Sequence, residues 1–597
     1  EKEESFVVQM PTSAGKTFIA ELVILDSLVK FPKKKCIYIA PYRALTNEIE
    51  NELSKNISTL GYSISKLSGS YEVDEFQSFI LDETDVLVAT PEKIDFLLRF
   101  TPSFFKNVSL VVLDEGHFIG KDDDRSSLIE LLIINLKRRI KELKILFISA
   151  VIISENAVEI SNWISNNVDN VISSPKYVDE KVWEPTRKLI GKFSWQETSK
   201  GLFGRIDYPF IKIETKNKNE VFNAFAYGVI KQEKIGRNKF PKKNNKPETA
   251  VALACNLSLT GNTLIFCARA DWAKSISDAF TIYLNILESN NISLPYNFKK
   301  NIITESYYHS LEWYGENSNI TKCISHGIGI HFGDMPEPLR RSIENDYRQE
   351  KLKILISTNT IGHGLNFPIK NLIIYSLKIN PSKNITTTVR DFWNIIGRAG
   401  RAGKETEGQI IFIDMNDGDN KEFLTYTNIN NLERVESRFY KLLIKLFNNR
   451  ISNDEFIIDL RYLTEPFILN TLIEEVIGTN EEKIIEEIIN NSLFKVQAVN
   501  FDLEPIRNAF KVIFKDVYNE LPTNKDIVKE FSKTGFNLKS NTVIYNYIND
   551  NIQELKNYVE SSEHLKILEH IINVFYENNI KEILLTKINV FESISKE

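Results

Sequence analysis

PTSAGKT, at residues 11–17, lies between the apolar run FVV at 6–8 and a segment whose apolar residues recur every three or four positions. A glycine-rich turn between a buried strand and a helix is the setting of a phosphate-binding loop. Backbone N–H groups at the helix start would surround the phosphates, Lys16 would reach the β- and γ-phosphate oxygens, and Thr17 would hold Mg²⁺. The general pattern starts with glycine, where this chain has Met10. The predicted nucleotide-binding residues of the loop are Thr12, Ser13, Ala14, Gly15, Lys16 and Thr17.

A second strand-like run, LVVLDEGH at 110–117, carries two adjacent carboxylates at its carboxyl end. Ligands of open α/β sheets bind at that end of the strands. We therefore expect Asp114 to hold Mg²⁺ and Glu115 to orient or deprotonate an attacking water. An isolated Asp-Glu pair is also typical of a helix N-cap with an acidic first turn. Its position one βαβ array after a phosphate loop favours the hydrolytic interpretation.

The stretch IIGRAGRAG at 395–403 sets two arginines, Arg398 and Arg401, among glycines. Arginines three apart fall on one helical face, and glycine lets the backbone approach a ligand closely. Across a cleft from the phosphate loop, both would contact the γ-phosphate as arginine fingers, a role worth about 10³–10⁵ in rate. Nucleotide would then close two lobes, and hydrolysis would release them.

Bulk composition limits the class of protein. The chain has 597 residues, too many for one core, and its 42% hydrophobic content is that of a globular protein. No uncharged apolar run reaches about eighteen residues, so no membrane-spanning helix is expected. The N-terminus resembles neither a signal peptide nor a transit peptide. A net charge of −6 argues against a wholly basic nucleic-acid binder but leaves room for a basic groove.

Cysteine and histidine usage points to a reducing compartment without zinc. The four cysteines have no C-x-x-C spacing, and most sit in apolar segments, where small core residues are expected. A cytoplasmic location follows. The seven histidines share no metal-ligand spacing with cysteines, so no zinc site is predicted.

Apolar runs and helical patterns alternate in two series, which predicts βαβ units, parallel sheets and an α/β fold. Strands are predicted at 6–8, 36–40, 86–90, 110–114 and 145–149, and again at 263–267, 327–332, 352–358, 372–376 and 409–414. Beyond about residue 418, amphipathic helical periodicity takes over. The predicted organisation is a first lobe at 1–195, an irregular insertion or linker at 196–248, a second lobe at 249–418, and a helical C-terminal region at 419–597. The insertion ends in GRNKFPKKNNKP, which is typical of a mobile surface loop.

PTSAGKT, DEGH and IIGRAGR together resemble a superfamily-two helicase of the DExH type, in its Ski-like branch. Five further stretches resemble motifs of that branch, in its order: APYRAL (40–45), ATPEK (89–93), LIFCARA (264–270), IHFGDMPEPLRRSIE (330–344) and ISTNTIGHGLNFP (356–368). The resemblance covers residues 6–415. It implies two RecA-like lobes in tandem, ATP and Mg²⁺ as cofactors, and ATP-driven movement along a nucleic-acid strand, usually 3′ to 5′.

The resemblance also assigns roles to single residues. His117 would join the hydrolysis site to the second lobe, although a satisfied loop histidine fits the sequence too. Gly364, in the fifth motif, would contact nucleotide. Pro91 fits equally well as a helix-starting residue. Strand contacts through the phosphate backbone would fall to Tyr42, Arg43, Thr90, Pro91, Glu92, Thr358, Asn359 and Thr360.

Two regions carry structural expectations from the branch. Between the fifth and sixth motifs, LIIYSLKI and NITTTVRDF flank a turn at 380–384, where a strand-separating hairpin would have its tip near Ser382 and Lys383. An ordinary connecting loop fits these residues as well. The C-terminal helices would form a winged-helix and ratchet-like ring around the strand, with plain packing against the lobes as the alternative.

Three departures from the family pattern stand out. The third motif, usually Ser-Ala-Thr, is Ser-Ala-Val at 149–151, and Asn394 replaces the usual Gln ahead of GRAGR. The adenine-reading motif is expected upstream of the phosphate loop, yet only ten residues precede Pro11. We therefore expect the first strand and helix of this lobe to be missing from the chain, and ATP rather than GTP follows from the resemblance alone.

Two classes of function fit these observations. The first is an ATP-driven helicase or translocase, with DNA favoured over RNA as its track and no membrane partner. The second is an ATP-gated scaffold that regulates a partner nuclease and unwinds little. Bacterial antiphage systems of the Hachiman type pair such a helicase with a nuclease, and their helicases are similar in sequence. A helicase without a partner, serving repair or RNA turnover, fits the motifs equally well.

Overall fold

The first lobe is built on a parallel sheet of seven strands in the order β3-β4-β2-β5-β6-β1-β7. The strands are β1 (Phe6–Gln9), β2 (Lys35–Ile39), β3 (Ile64–Lys66), β4 (Val86–Ala89), β5 (Val108–Leu113), β6 (Lys144–Ser149) and β7 (Val171–Ser173). This order sets β6 between β1 and β5. The phosphate loop after β1 and the carboxylates after β5 therefore emerge at the same edge of the sheet.

Helices cover both faces of this sheet. They are α1 (Lys16–Lys30), α2 (Arg43–Ile57), α3 (Pro91–Phe100), α4 (Pro102–Phe105), α5 (Asp124–Arg139) and α6 (Ser154–Ser165). One apolar core lies between the strands and α1 and α2, and the other lies under α3, α5 and α6. Because β4 and β5 are buried along their whole length, their sequences are continuous apolar runs.

The second lobe has a mixed sheet of eight strands in the order β10-β9-β8-β19-β16-β13-β15-β14. Its strands and two small hairpins are β8 (Arg187–Thr198), β9 (Gly201–Glu214), β10 (Val221–Lys231), β11 (Glu233–Ile235), β12 (Asn238–Phe240), β13 (Thr263–Cys267), β14 (Ile328–His331), β15 (Ile354–Ser357), β16 (Asn371–Ser376), β17 (Lys378–Asn380), β18 (Ile385–Thr386) and β19 (Glu407–Ile413). Its helices are α7 (Lys246–Leu257), α8 (Ala270–Ser289), α9 (Glu305–Tyr314), α10 (Asn319–Ile324), α11 (Glu337–Arg348), α12 (Val389–Ile396) and α13 (Asp417–Thr427). The six strands from β8 to β14 in this order are parallel, which matches the predicted βαβ pattern.

The prediction of an irregular linker at 196–248 is wrong. Strands β8, β9 and β10 form an antiparallel meander that joins the second sheet through β8 and β19, so this sheet begins at Arg187. The segment GRNKF, expected to be a mobile loop, contributes to the β11–β12 hairpin. The meander has one solvated face, where polar residues alternate with buried ones such as Phe193 and Ile206. Because apolar residues occur only at every second position and charged residues lie between them, the segment has a polar composition, and its strands were not recognised.

The C-terminal region is helical throughout its described part. Its helices are α14 (Arg438–Phe447), α15 (Asn453–Glu474), α16 (Glu481–Asn490), α17 (Leu493–Gln497), α18 (Glu504–Glu520), α19 (Lys525–Thr534), α20 (Leu538–Asp550), α21 (Ile552–Glu560) and α22 (His564–Glu577). Helices α14 to α20 share an apolar core with Leu131 and Ile134 of α5, so this part of the region docks on the first lobe. The computed structural model describes residues 4–12, 14–66, 81–121, 124–173, 185–214, 221–292, 302–358, 367, 369–380, 385–400, 406–474 and 481–577.

Two features predicted from composition can be compared with the structure. All four cysteines are buried and free, which confirms the core assignment made for most of them and extends it to the fourth. Over the described ranges, no helix combines the length and the apolar character needed to cross a bilayer.

A buried carboxylate holds the C-terminal region to the first lobe. Glu130 of α5 is fully buried; it accepts hydrogen bonds from the Ser437 hydroxyl (2.7 Å) and from the backbone N–H groups of Leu493 (3.0 Å) and Phe494 (3.3 Å). Burial raises its pKa from 4.5 to about 7, even though these hydrogen bonds favour the ionised form. The folded state therefore holds the Glu130 proton more tightly than the unfolded chain does.

This pKa shift predicts how stability depends on pH. The contribution of protonated Glu130 is fully present below pH 4.5 and is lost as pH rises through 7, which costs about 3 kcal/mol in the free energy of unfolding. Glu130→Gln is neutral at every pH and is expected to flatten this decline. The measurement is the urea midpoint from about pH 5 to pH 8, with exposed Glu142→Gln as the control. Parallel curves for Glu130→Gln and the unsubstituted protein would contradict the prediction.

Candidate active site

The phosphate loop lies between a strand and a helix, the setting predicted from its sequence. Strand β1 ends at Gln9 and α1 starts at Lys16, with Gly15 as its N-cap at φ 89°. No atom lies within 4 Å of where a Cβ of Gly15 would be, so this backbone angle, and not lack of space, favours glycine. The first turn of α1 therefore leaves its N–H groups available to an anion. Thr12, Ala14, Gly15, Lys16 and Thr17 are described, whereas Ser13 lies outside the described residues.

Lys16 and Glu115 face each other across the mouth of the site. The Lys16 Nζ lies 4.0 Å from the Glu115 Oε1. The ammonium is buried and has no hydrogen-bond partner among the described residues. Burying a cation without hydrogen-bond partners costs free energy unless a bound ligand accepts those hydrogen bonds. This geometry suits an anionic ligand held between the loop and β5.

Asp114 lies one residue beyond β5 and is fixed by a tyrosine that the sequence analysis did not single out. The Tyr38 hydroxyl, on β2, donates a hydrogen bond of 2.8 Å to the Asp114 Oδ2, and the Glu115 N–H donates to its Oδ1. Burial, with Glu115 adjacent, raises the pKa of Asp114 to about 6. Burial also raises the pKa of Tyr38, which keeps its hydroxyl a donor. An apolar strand pattern cannot reveal this pairing, since Tyr38 reads there as an ordinary core residue.

Glu115 is held in a charged state inside the protein. Its backbone is in the left-handed region, at φ 49°, which is uncommon for a residue other than glycine and turns the chain sharply after β5. Burial alone would raise its pKa, but the nearby positive charges, chiefly Lys16 and with it Arg398, hold the pKa below its usual value. An ionised carboxylate at this position can accept a proton from water or orient it.

His117 is fully buried next to Glu115 and Ser149. Its Nδ1 lies 3.1 Å from the Ser149 Oγ and 3.4 Å from the Glu115 Oε2. Burial lowers the pKa of His117 to about 4, so the imidazole is neutral near pH 7. Ser149 ends β6 and opens the Ser-Ala-Val stretch. The first hydroxyl of that motif thus contacts the histidine, even though Val151 lacks the last one.

The second lobe contributes Arg398 to the same site. Helix α12 ends at Ile396, and a Cβ on the next residue, Gly397, would collide with the Thr12 hydroxyl of the phosphate loop. Arg398 follows and is 8% exposed; burial lowers its pKa while the Glu115 charge supports its ionisation. The structure therefore brings Arg398 to the loop side of the cleft. Arg401 lies outside the described residues.

One ion pair of this cleft was missed by the sequence analysis. Lys121, after the DEGH turn, pairs across the lobes with Asp391 of α12 at 3.1 Å. The Asn394 Oδ1, on the same helix, is buried and has no hydrogen-bond partner in the described part of the chain. Asp391 precedes GRAGR within two helical turns, so the helical spacing counted back from Arg398 could have indicated that Asp391 lies near the site.

A cavity of 240 Å³ lies between the lobes beside the phosphate loop. Met10 and Val151 line it from the first lobe, and Trp393 and Leu432 line it from the other side. Its walls are mainly apolar, unlike the charged site next to it. Val151, where the family has threonine, therefore adds to an apolar wall at the lobe interface.

The candidate strand contacts of the first lobe form a small network. Arg125 lies over the Tyr42 ring, 5.0 Å from its centroid, and pairs with Glu92 through contacts of 2.6 and 3.0 Å. Glu92 is thus engaged within the protein, and Arg125 is a cation that the sequence analysis missed because it lies outside the family motifs. Tyr42 packs edge-on against Phe118, with ring centroids 5.3 Å apart.

The remaining candidates of this lobe separate into exposed and structural residues. Arg43, at the start of α2, is exposed. Thr90 is the N-cap of α3, and Pro91 is its first residue and is buried. Pro91 therefore has the helix-starting position that was its alternative interpretation.

In the second lobe, one strand candidate is described and is buried. Thr358 follows β15, is 7% exposed, and donates its N–H to the His331 carbonyl at 3.1 Å. Asn359, Thr360 and Gly364 lie outside the described residues. Strands β17 and β18 pair antiparallel where a hairpin was predicted, while its tip, with Ser382 and Lys383, lies outside the described residues.

Comparison with known proteins finds two domain matches. A DEAD/DEAH box helicase domain matches residues 1–160, and a helicase conserved C-terminal domain matches residues 280–403. The chain is 31% identical to the Hachiman protein HamB of Bacillus cereus over 84% of this chain and 44% of that protein. It is 26% identical to the ATP-dependent DNA helicase Hel308 of Methanococcus vannielii, over 87% of this chain and 64% of that protein. It is 24% identical to the pre-mRNA-splicing factor brr2 of Schizosaccharomyces pombe, over 75% of this chain and 19% of that protein. The chain thus spans less than two thirds of the length of each relative.

Proposed function

Since this chain belongs to the superfamily-two helicases of the DEAD/DEAH box type, in the Ski-like branch, we propose that it hydrolyses ATP to move along a nucleic-acid strand. One observation carries the proposal. Lys16 and Glu115 of the first lobe and Arg398 of the second meet at one buried, charged cleft. A site divided between two lobes converts nucleotide binding into closure and hydrolysis into opening.

The proposed chemistry assigns one task to each charged group. Lys16 and the N–H groups of α1 bind the phosphates of ATP, and Arg398 contacts the γ-phosphate from the second lobe. Glu115 orients the attacking water and takes its proton. The neutral His117, bonded to Ser149, keeps Glu115 placed without adding a charge. Charge that develops on the γ-phosphate is stabilised in a site from which water is largely excluded.

The residues present fit a magnesium ion. Asp114 is a buried carboxylate at a strand end whose pKa burial raises, so it lacks a full counter-charge, and Thr17 offers a hydroxyl one residue into α1. Oxygen ligands of this kind are those that Mg²⁺ prefers. When bound, the ion would neutralise charge on the β- and γ-phosphates. Asp114 and Thr17 would hold it, and Tyr38 would orient Asp114.

We propose single-stranded nucleic acid, with DNA favoured, as the track and 3′ to 5′ as the direction. The Hel308 relative is a DNA helicase by name, which supports DNA. Tyr42, Arg43 and Arg125 provide an aromatic ring and two cations on one surface region of the first lobe, a combination that suits stacking and phosphate contacts. The paired strands β17 and β18 are the proposed strand-separating hairpin.

A role in antiphage defence with a nuclease partner is a further part of this proposal. The similarity to the Hachiman protein HamB supports it. The same similarity favours one alternative, an ATP-gated scaffold that restrains a nuclease and unwinds little. The resemblance to the family implies that a threonine at this position links hydrolysis to strand movement, so Val151 favours the alternative.

Steady-state ATP hydrolysis measured without polymer, with single-stranded DNA, with 3′-tailed duplex DNA and with matched RNA tests the proposal. We expect stimulation of about tenfold or more by single-stranded DNA, because strand binding across both lobes favours the closed site. Stimulation by RNA alone would change the proposed track. Equal rates under all four conditions would contradict a motor and support the scaffold.

A further inference from the structure

The segment that joins the second lobe to the C-terminal helices, residues 433–437, contacts three parts of the molecule. We call it the strap. It follows α13 and a short 3₁₀ turn at Ile429–Asn431, and it ends where α14 begins. The family motifs do not include it, and nothing in its sequence, ERVES, marks it as part of an active site.

The strap holds the start of α12. The Glu433 carboxylate accepts hydrogen bonds from the backbone N–H groups of Val389 (2.6 Å) and Arg390 (2.9 Å). The Glu433 carbonyl also accepts a hydrogen bond from the Arg390 guanidinium. The first N–H groups of a helix have no partner within it, and a carboxylate there also complements the helix dipole. Glu433 therefore holds the start of α12 together with the N-cap Thr388, whose hydroxyl accepts a hydrogen bond from the Asp391 N–H at 3.0 Å.

The next residues of the strap are held by the first lobe. Val435 is fully buried; its N–H donates to the Asn156 Oδ1 at 2.7 Å, and its carbonyl accepts from the Asn156 Nδ2 at 3.2 Å. Arg434 pairs with Glu159, one turn further along α6. Glu433 is thus bonded to α12 of the second lobe, and Val435, two residues later, is bonded to the first lobe.

The same strap is held by the C-terminal helices. Gln497, the last residue of α17, accepts a hydrogen bond from the Ser437 N–H at 2.8 Å and donates one to the Val435 carbonyl at 2.7 Å. The Ser437 hydroxyl donates to Glu130, which also caps α17. A shift of α17 relative to the first lobe therefore cannot leave the strap in place.

Helix α12 connects the strap to the hydrolysis site. Glu433 holds its first turn, and its far end leads directly to Gly397, against Thr12, and to Arg398. The strap also packs on the turn that carries His117, since a Cβ on Gly120 would lie 2.9 Å from the Val435 Cα. A short helix held at one end transmits a change of tilt to the other end as a displacement.

We infer that Glu433 is a positioning residue for Arg398, and that the strap transmits the placement of the C-terminal helices to ATP hydrolysis. Whatever moves α17, whether a strand or a partner, then changes the turnover rate through α12. The stimulation by polymer in this inference rests on the proposed function, whereas the positioning of Arg398 does not.

Glu433→Ala tests the positioning. We expect kcat for ATP to fall by about tenfold to a hundredfold, since small misplacements of a catalytic group have effects of this size. The KM for ATP is expected to stay within about twofold, because the phosphate loop is unchanged. Glu436→Ala is the matched control; it removes the same charge from the strap, and its carboxylate makes no hydrogen bond to α12 among the described residues. A merely structural defect would lower the active fraction and leave the remaining kcat per active site unchanged.

Gln497→Ala tests the transmission. It leaves Glu433 and α12 intact, so basal hydrolysis is expected to stay within about twofold, while stimulation by single-stranded DNA falls by about tenfold. Full stimulation in this variant would overturn the transmission. If the unsubstituted protein hydrolyses ATP but no polymer stimulates it, the proposed function fails. The kcat of Glu433→Ala without polymer still tests the positioning of Arg398.

Hydrogen exchange of the segment 385–397 gives a readout that needs no activity. In Glu433→Ala, the N–H groups of Val389 and Arg390 lose their acceptors, and we expect exchange there to rise by about tenfold or more over Glu436→Ala. Unchanged exchange together with an unchanged kcat would overturn the inference.

Discussion

Lys16→Ala is expected to reduce ATP hydrolysis by about 10²–10³-fold and to abolish any strand displacement. The ammonium is buried, lies 4.0 Å from Glu115, and has no hydrogen-bond partner in the described part of the chain, so we expect a phosphate of the nucleotide to be its partner. Removing one preorganised donor from a site that excludes water has an effect of this order. The substitution also removes the main charge that keeps Glu115 ionised.

The control for Lys16→Ala is Lys30→Ala, at the other end of the same helix. Lys30 pairs with Asp26 on the surface, and its side chain is half exposed. We expect Lys30→Ala to keep full activity. The measurement is the steady-state rate of phosphate release at saturating ATP, with the thermal midpoint of each variant as a check on folding. Substantial hydrolysis by a folded Lys16→Ala protein would show that this loop is not the site of hydrolysis.

Arg398→Ala is expected to lower kcat by about 10³–10⁵-fold while leaving nucleotide binding nearly intact. Arg398 comes from the second lobe, is buried, and lies close enough to Glu115 for the two charges to support each other. An arginine aimed at the γ-phosphate contributes chiefly as charge develops in the transition state. We expect nucleotide affinity to depend more on Lys16 and the start of α1.

Arg398→Lys separates charge from geometry. Lysine keeps the positive charge but lacks the planar fork of donors, so only partial recovery of turnover is expected. Arg341→Ala, an exposed arginine of α11 in the same lobe, is the control. Binding of a fluorescent ATP analogue and single-turnover hydrolysis are measured on the same samples. Normal turnover by Arg398→Ala would remove the arginine from the mechanism.

The sheets of both lobes follow from local sequence because their strands are buried on both faces. Strands such as β4, β5 and β13 are continuous apolar runs between helical patterns, and each lies where it was predicted. The antiparallel meander of β8 to β10 was missed because one of its faces meets solvent. Its alternation of buried and charged residues resembles an irregular polar segment unless period two is counted.

The site shows a similar division. The phosphate loop, Asp114, Glu115 and Arg398 are recognisable because their chemistry is tied to short spacings, and the structure brings them to one cleft. Tyr38, Arg125, Glu130 and Glu433 were missed because their roles come from partners distant in the sequence. Glu433, for example, acquires its role by meeting the start of α12, 44 positions earlier. A single sequence carries no local signal for such pairings.

The altered third motif, Ser-Ala-Val, contributes both to the hydrolysis site and to the neighbouring cavity. Ser149, the first residue of the altered third motif, contacts His117 directly. The residue that departs from the family pattern, Val151, lies instead in the apolar wall of the neighbouring cavity. On this geometry, we expect valine in place of the family's threonine to affect communication between the lobes more than the hydrolysis site itself.

Strand displacement from two tailed duplexes tests most directly whether hydrolysis at the shared cleft drives movement along a strand. One duplex carries a 3′ single-stranded tail and the other a 5′ tail, and each is mixed with the protein and ATP, with Lys16→Ala in parallel. We expect ATP-dependent displacement from the 3′-tailed duplex, little from the 5′-tailed one, and none with Lys16→Ala. Rapid ATP hydrolysis without displacement from either duplex would contradict this expectation and favour the ATP-gated scaffold.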